Sequence, residues 1–502
     1  MRQPVISTLL SILFFLLFSK HLLAGPTPAD TAASAPYRTA VHKLAKAIAY
    51  QTVSAVDNER FRFEEFESLH AYLEEAFPQL HQQLKKEVIN GYSLLYTWPG
   101  TRPELKPILL SAHLDVVPVE AGSRAEWEAH PYEGTVKDGY IWGRGSMDDK
   151  YRVVAIMEAV ELLLEQGFQP ERTVYLAFGH DEEVGGYAGA ARISEHLATQ
   201  GIALEAVYDE GLAVADGVVP GLEEPLALVG TAAKGNINLK LTVHGEGGHS
   251  SVPPLETPIQ ILSVALSRLH ENPFEARMIP TTREMVAALA DKLGGKYKFA
   301  MRHYGLFKGR ILKMLAEDQA TDALIRTKMV PTVMEAGDKY NVLPRVATAI
   351  LNVRILNGDS QQDVLRHVQR VVNDDRVQIE MHGVYTPPSP VTSTDTWTYR
   401  ALQKTIGETF PGVMVVPALF PGATDSKHYT NLTSNIFRFA PQVVNRENAQ
   451  LIHNVNERLS LEVFDKCISF YEALIRNTCT GNGGVQVVQD KVNLLPIGVT
   501  GE

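Results

Sequence analysis

The chain has 502 residues, 45% of them hydrophobic and 21% charged, with a formal net charge of −11. That composition supports a large core and suits two or three domains. Contiguous basic residues do not go beyond pairs such as Lys85–Lys86, so a nucleic-acid partner is not expected.

The first element is an apolar run of 14 residues, Val5 to Phe18, behind Arg2. A membrane span needs ~20 residues, so the run reads as a signal-peptide core within residues 1–24. The body is then secreted or periplasmic. An uncleaved membrane anchor is the alternative, and small residues at Ala24-Gly25 and Ala33-Ser34-Ala35 leave the cleavage site open. Residues 25–36 read as a linker.

From 37 to 232, strand-like and helix-like segments alternate. Ile108–Ala112 is a short apolar strand, and Tyr151–Gln166 is an apolar-periodic helix closed by Gly167. Thr173–Phe178 is a second strand, Ala188–Thr199 a helix and Ala206–Tyr208 a third strand. This order predicts an α/β domain with a mostly parallel sheet, whose sites form at the carboxyl ends of the strands. From 233 to 387 the period changes to two. Asn236–His244, Ala347–Ile355 and Val377–Met381 alternate apolar and polar, with amphipathic helices near Thr257–His270 and Ser360–Asn373. That pattern predicts an inserted α+β domain with one wet sheet face, carrying a helical elaboration at 272–330. The first pattern returns at 388–480, with a helix at Thr398–Thr409, a strand at Val413–Val416 and a final helix from Leu461. Residues 481–502 read as a tail.

Cys467 and Cys479 are the only cysteines. Twelve residues along a helix separate Cα atoms by ~18 Å, and a disulfide requires ~4.4–6.8 Å. A disulfide framework and a cysteine-ligated zinc are both excluded.

His, Asp and Glu concentrate in five short segments. Ser111-Ala-His113-Leu-Asp115 follows a strand; residues two apart share a side, so His113 could bind a metal while Asp115 orients it. Gly143-Arg-Gly-Ser-Met-Asp148 precedes a helix, and Asp148 could bridge two cations or merely cap the helix. Gly179-His-Asp181-Glu182-Glu183 ends a strand; its acids repel unless a cation offsets them, although a solvated loop is the commoner outcome. There Glu183 could ligate and Glu182 could accept a proton. Val207-Tyr-Asp209-Glu210 ends the next strand, and Leu451-Ile-His453-Asn-Val-Asn456-Glu457 precedes the last helix. Predicted strand ends bring three of the five to one sheet edge. A His/carboxylate donor set suits a catalytic metal site, and two metals sharing a carboxylate can activate water and polarise a carbonyl.

These ordered segments, from about Tyr37 to Cys479, resemble the M20 metallopeptidase family. Trp127, His130-Pro131-Tyr132 and Gly143–Asp148 resemble the branch holding carboxypeptidase S and N-fatty-acyl-amino-acid synthase/hydrolase. The resemblance implies a parallel-sheet zinc-hydrolase domain with an inserted ferredoxin-like lid or dimerisation domain. It implies two Zn2+ per subunit, with Co2+ or Mn2+ as alternatives: His113, Asp148 and Asp209 on one, Asp148, Glu183 and His453 on the other. Glu210 competes with Asp209 for the fourth position. Asp115 would orient His113, Glu182 would be the general base, and His249 of Gly247-Gly-His-Ser-Ser251 would stabilise the oxyanion, often across a homodimer. Asn341, Arg354 and Gly422 would hold the substrate; Arg354 suits a carboxylate. The implied substrate is a small peptide or an N-acyl amino acid with a free carboxylate. A non-catalytic binding protein on the same fold is the alternative from another class.

Overall fold

The structure is a computed structural model and describes residues 38–55, 61–120, 122–217 and 224–481. The expected signal segment 1–24 and, but for Gly481, the tail 481–502 lie outside these residues.

Alternating strands and helices build an eight-stranded sheet. Its order is Lys85–Ile89, Ser93–Trp98, Val174–Gly179, Ile108–His113, Ala206–Ala215, Ile436–Val444, Leu226–Ala233 and Met414–Phe420. The central strands run parallel, so their carboxyl ends share one edge; antiparallel pairing is found at the Lys85–Ile89 side and beside Leu226–Ala233. This is the mixed α/β architecture expected from the sequence. Strand residues alternate between two cores. Leu110, Leu176 and Phe178 pack under the helices Arg38–Ala49, Lys150–Glu165 and Leu461–Cys479. Leu109, Ala177 and Val207 meet Ile193 and Leu197 of Ala190–Thr199 on the other face. The helix Lys150–Glu165 is buried along nearly all its length and ends ahead of Gly167, whose φ of +70° suits only glycine without strain.

The insert forms a four-stranded antiparallel sheet in the order Lys328–Ala336, Val346–Ile355, Gly235–His244, Val377–Thr386. In chain order its sheet strands and covering helices run βαββαβ, which is a ferredoxin-like arrangement. Ile237, Leu239, Leu241 and Val243, the apolar phase of the alternation, pack against the helices Pro258–Glu271 and Gln361–Val372. The helical stretch between them has a different neighbour. Met285 and Leu289 of Pro280–Leu293 and Ile311 of Tyr304–Ala316 pack on Leu228, Val416 and Ala418 of the large sheet. The last helix runs unbroken through Cys467 to Cys479, and both thiols are buried and free. Among the described residues, no helix is long and apolar enough to cross a membrane.

Candidate metal centre

The sheet register assembles the site. His113 pairs with Gly179 on parallel neighbours, so the segments after both leave the same edge side by side. The glycine-rich segment arrives from the other direction. Glu457 accepts from Gly145 N (3.0 Å) and Met147 N (2.8 Å) and pairs with Arg144, tying 143–148 to the segment that carries His453. Burial pushes the Glu457 carboxyl up to about 7, against the pull of Arg144.

Asp148 is the centre of the arrangement. Its Oδ1 lies 3.0 Å from His113 Nε2 and its Oδ2 lies 3.0 Å from His453 Nε2. His453 Nε2 is also 3.2 Å from Glu183 Oε1. Hydrogen bonds to Asp148 and Glu183 push the His453 pKa up to about 10. Behind His113, Nδ1 lies 3.0 Å from the Asp115 carbonyl oxygen and 3.3 Å from its Oδ1. Asp115 also receives Ser54 Oγ (2.6 Å), Glu182 N (3.1 Å) and Glu183 N (3.1 Å). It therefore holds the imidazole and the acidic loop at once. Burial would raise its pKa, but these donors and His113 hold it below the usual range.

A third support is Asp149, which accepts from His113 N (3.2 Å) and pairs with the fully buried Arg152 (2.8 Å). Arg152 in turn donates to Ser111 O (2.6 Å) and to Tyr471 Oη (2.8 Å). Sequence reasoning passed over Ser54, Asp149, Arg152 and Glu457. Glu457 sits inside a quoted segment and Asp149 directly follows another, but Ser54 and Arg152 carry no pattern of their own.

Asp209 and Glu210 stand in the middle of strand Ala206–Ala215, not at a strand end as the sequence suggested. Glu210 Oε1 lies 3.9 Å from His113 Nε2. Asp209 Oδ2 accepts from Ser426 N (2.8 Å), and the Asp209 charge acts on the buried Arg438. The pairing with the neighbouring strand shifts register between Asp209 and Leu212, so simple alternation does not hold there.

Asp425, of the motif Gly422-Ala-Thr-Asp, is 2% exposed, and neither carboxylate oxygen has a hydrogen-bond partner among the described residues. Gly179 and Gly186 make room for it; a Cβ on either would overlap its carboxylate. Burial, with Asp209 and Asp181 nearby, pushes its pKa far up. Gly422 itself lies in the turn after Met414–Phe420.

The remaining expected substrate residues lie on the insert. A short ribbon pairs Gly248–His249 with Val342–Leu343, bringing His249 next to Asn341; both are exposed. His249 Nδ1 meets Ser251 Oγ at 2.7 Å, and no hydrogen bond joins it to the His113 cluster. Arg354 is exposed on the wet face, in one row with Lys328 and Asn236, without a carboxylate in ion-pair reach among the described residues.

The donor set fits metal ions. His113, Asp148 and Glu183 place ligand atoms within 4.8 Å of one another, as do His113, Glu182 and Glu210. Burial, reinforced by neighbouring acids, raises the pKa of Glu182, Glu183 and Glu210. Carboxylates crowded in this way lack a counter-charge, which a cation supplies.

Fold and donor set together define the class, a metal-dependent hydrolase with its centre at the carboxyl edge of a mixed α/β sheet. The sequence profile of peptidase family M20/M25/M40 matches residues 109–477, and the chain belongs to that family. It is 42% identical over 440 residues to a protein named probable carboxypeptidase S-like 2 of Dictyostelium discoideum, covering 87% of this chain and 84% of that one. It is 41% identical to the N-fatty-acyl-amino acid synthase/hydrolase PM20D1 of Xenopus tropicalis, covering 82% and 80%. Carboxypeptidase S of Saccharomyces cerevisiae is 30% identical, covering 87% and 84%. Among solved structures, the M20 family metallo-carboxypeptidase Sso-CP2 of Sulfolobus solfataricus shares the fold at a TM-score of 0.64 and 18% identity, covering 87% of this chain and 98% of that one.

Proposed function

We propose that this hydrolase cleaves the amide bond of small substrates with a free carboxylate, peptides or N-acyl amino acids, using two metal ions per subunit. The observation that carries the reading is Asp148, with one oxygen 3.0 Å from His113 and the other 3.0 Å from His453. Such a carboxylate suits a bridge between two cations. His113, Asp148 and Glu210 would hold one, and Asp148, Glu183 and His453 the other; Glu210 is placed ahead of Asp209 because its Oε1 lies 3.9 Å from His113 Nε2. Zn2+ suits imidazole and carboxylate donors, with Co2+ or Mn2+ able to take the same set. When bound, the metals would lower the pKa of water and polarise the scissile carbonyl.

The chain's own groups supply the proton traffic. Glu182 is crowded by Glu183, Asp148 and Asp425, and burial raises its proton affinity. It takes the proton of the attacking water and delivers it to the departing amine nitrogen. Asp115 keeps Glu182 in place through the backbone. Arg354 binds the substrate carboxylate, with Asn341 and Gly422 at the carbonyl side. His249 stabilises the oxyanion; its exposure on the insert suits action in a homodimer formed through that domain. The apolar run near the N-terminus supports an exported protein.

The test combines metal counting on the purified protein with hydrolysis of dipeptides and of short- and long-chain N-acyl amino acids. Two metal equivalents, with Glu182→Ala keeping them and losing most turnover, are expected. One equivalent, or full activity in that variant, would refute the reading.

A further inference from the structure

One segment of the helical stretch is unlike the rest of this acidic chain. Between Lys292 and Ala316 it carries seven Lys or Arg residues and no Asp or Glu. No two of the seven are adjacent, so a search for basic runs misses them; the fold brings them together. The segment forms two helices, Gly295–Arg302 and Tyr304–Ala316, joined at His303.

The inner side of this hairpin is accounted for. Ile311 and Leu315 are buried, and Ala300, Met301, Tyr304 and Phe307 pack partly against the same core. The outer side is not. Phe299 is 56% exposed and Leu306 is 83% exposed. Helical spacing puts Lys296 and Arg302 beside Phe299, and Arg310 and Lys313 beside Leu306. All four cations are exposed. Phe299 meets the His303 ring at 4.6 Å in a tilted arrangement and the Phe307 ring edge-on at 5.9 Å, which ties the two helices together. Lys292 and Lys298 have acidic partners, Glu224 (2.5 Å) and Asp291 (3.1 Å). Lys296, Arg302, Lys308, Arg310 and Lys313 have none in ion-pair reach among the described residues.

We propose that the outer face of this hairpin docks on an anionic lipid surface. Apolar rings and chains set between unpaired cations are the pattern of helices that lie in a membrane interface. The cations meet lipid headgroups, while Phe299 and Leu306 enter the boundary with the acyl chains. Charge complementarity selects the occupant: the chain carries a net charge of −11, and this face carries exposed cations without acidic residues on either helix. The docking stands apart from the substrate reading, since none of these residues belongs to the metal centre.

The experiment is co-sedimentation of the full chain with vesicles of phosphatidylcholine alone and of phosphatidylcholine mixed with phosphatidylglycerol. The readout is the ratio of the two partition coefficients, so lipid affinity of the N-terminal apolar run contributes alike to wild type and variant. Each cation near such a surface contributes about five-fold. The triple variant Arg302→Gln/Arg310→Gln/Lys313→Gln should therefore lower the ratio about 100-fold, with short-substrate hydrolysis and melting temperature unchanged. The double variant Phe299→Ser/Leu306→Ser should weaken binding to mixed vesicles and serves as the second reading if the triple variant melts early. Equal partition of the wild type into both vesicle kinds overturns the proposal. So does a preference that survives both variants, or tighter binding to duplex DNA than to mixed vesicles.

Discussion

Asp115→Asn isolates the residue that ties the acidic loop to His113. Its Oδ1 faces His113 Nδ1 (3.3 Å) and Glu182 N (3.1 Å), and its Oδ2 faces Ser54 Oγ (2.6 Å) and Glu183 N (3.1 Å). Asparagine keeps one acceptor oxygen and puts an amide donor in the other position. On the first side the amide would oppose two N–H donors. On the second it would oppose one, because the Ser54 hydroxyl can turn to accept. The amide therefore takes the second side and leaves Glu183 N–H without an acceptor. An orphaned buried donor costs about 1–3 kcal/mol, and losing the charged partner of a metal-bound imidazole costs about 10–100-fold in metal affinity. The variant should thus release metal to a chelator at roughly 10–100-fold lower chelator concentration, and its kcat should fall because Glu183 and Glu182 move together. Chelator competition followed by metal analysis reads the first effect, and steady-state hydrolysis the second. A variant that holds metal within two-fold of the wild type, with unchanged kcat, would refute this account of Asp115.

Three further outcomes follow from the same geometry. Glu210→Ala should lose bound metal, whereas Asp209→Ala should keep it but unfold more easily, because the buried Ser426 N–H loses its 2.8 Å acceptor at a cost of about 1–3 kcal/mol; metal analysis and denaturant titration separate them, and metal loss only in Asp209→Ala would reverse the assignment. Lys234, buried where the chain enters the insert, has its pKa lowered to about 7 by burial. A lysine whose folded pKa is depressed binds fewer protons folded than unfolded, so its contribution to stability rises with pH from about 7 to the ordinary lysine range; the melting temperature of wild type relative to Lys234→Met should climb over that window, and a flat difference would contradict it. Gly186→Ala should cut kcat far more than it lowers stability, since φ is +70° and the new Cβ would push the Asp425 carboxylate toward the acidic loop; unchanged turnover would show that this carboxylate can move freely.

Much of the architecture could be read from periodicity. The strict alternation of Asn236–His244 has a single apolar phase, and that phase is the one facing the insert's helices. His113, Glu182 and Glu183 were legible as candidates because acids and His crowd the ends of apolar strands. The strands Leu226–Ala233 and Ile436–Val444 were not legible: their residues are mostly buried on both faces, so they carry little alternation. The helical stretch at 280–323 was seen, but the side on which it packs was not.

The contest between Asp209 and Glu210 marks the boundary. Sequence by itself determined that a carboxylate stands on this strand, next to His113 in the order of the sheet. It could not say which one, because Ala206, Val207 and Tyr208 are all buried and supply no phase from which to count sides. The tertiary structure supplies what counting could not: Ser426 N donates to Asp209 Oδ2, whereas Glu210 Oε1 lies 3.9 Å from His113 Nε2. A register shift interrupts the ladder between Asp209 and Leu212, so side-chain direction there is set by neighbours in space and not by alternation along the strand.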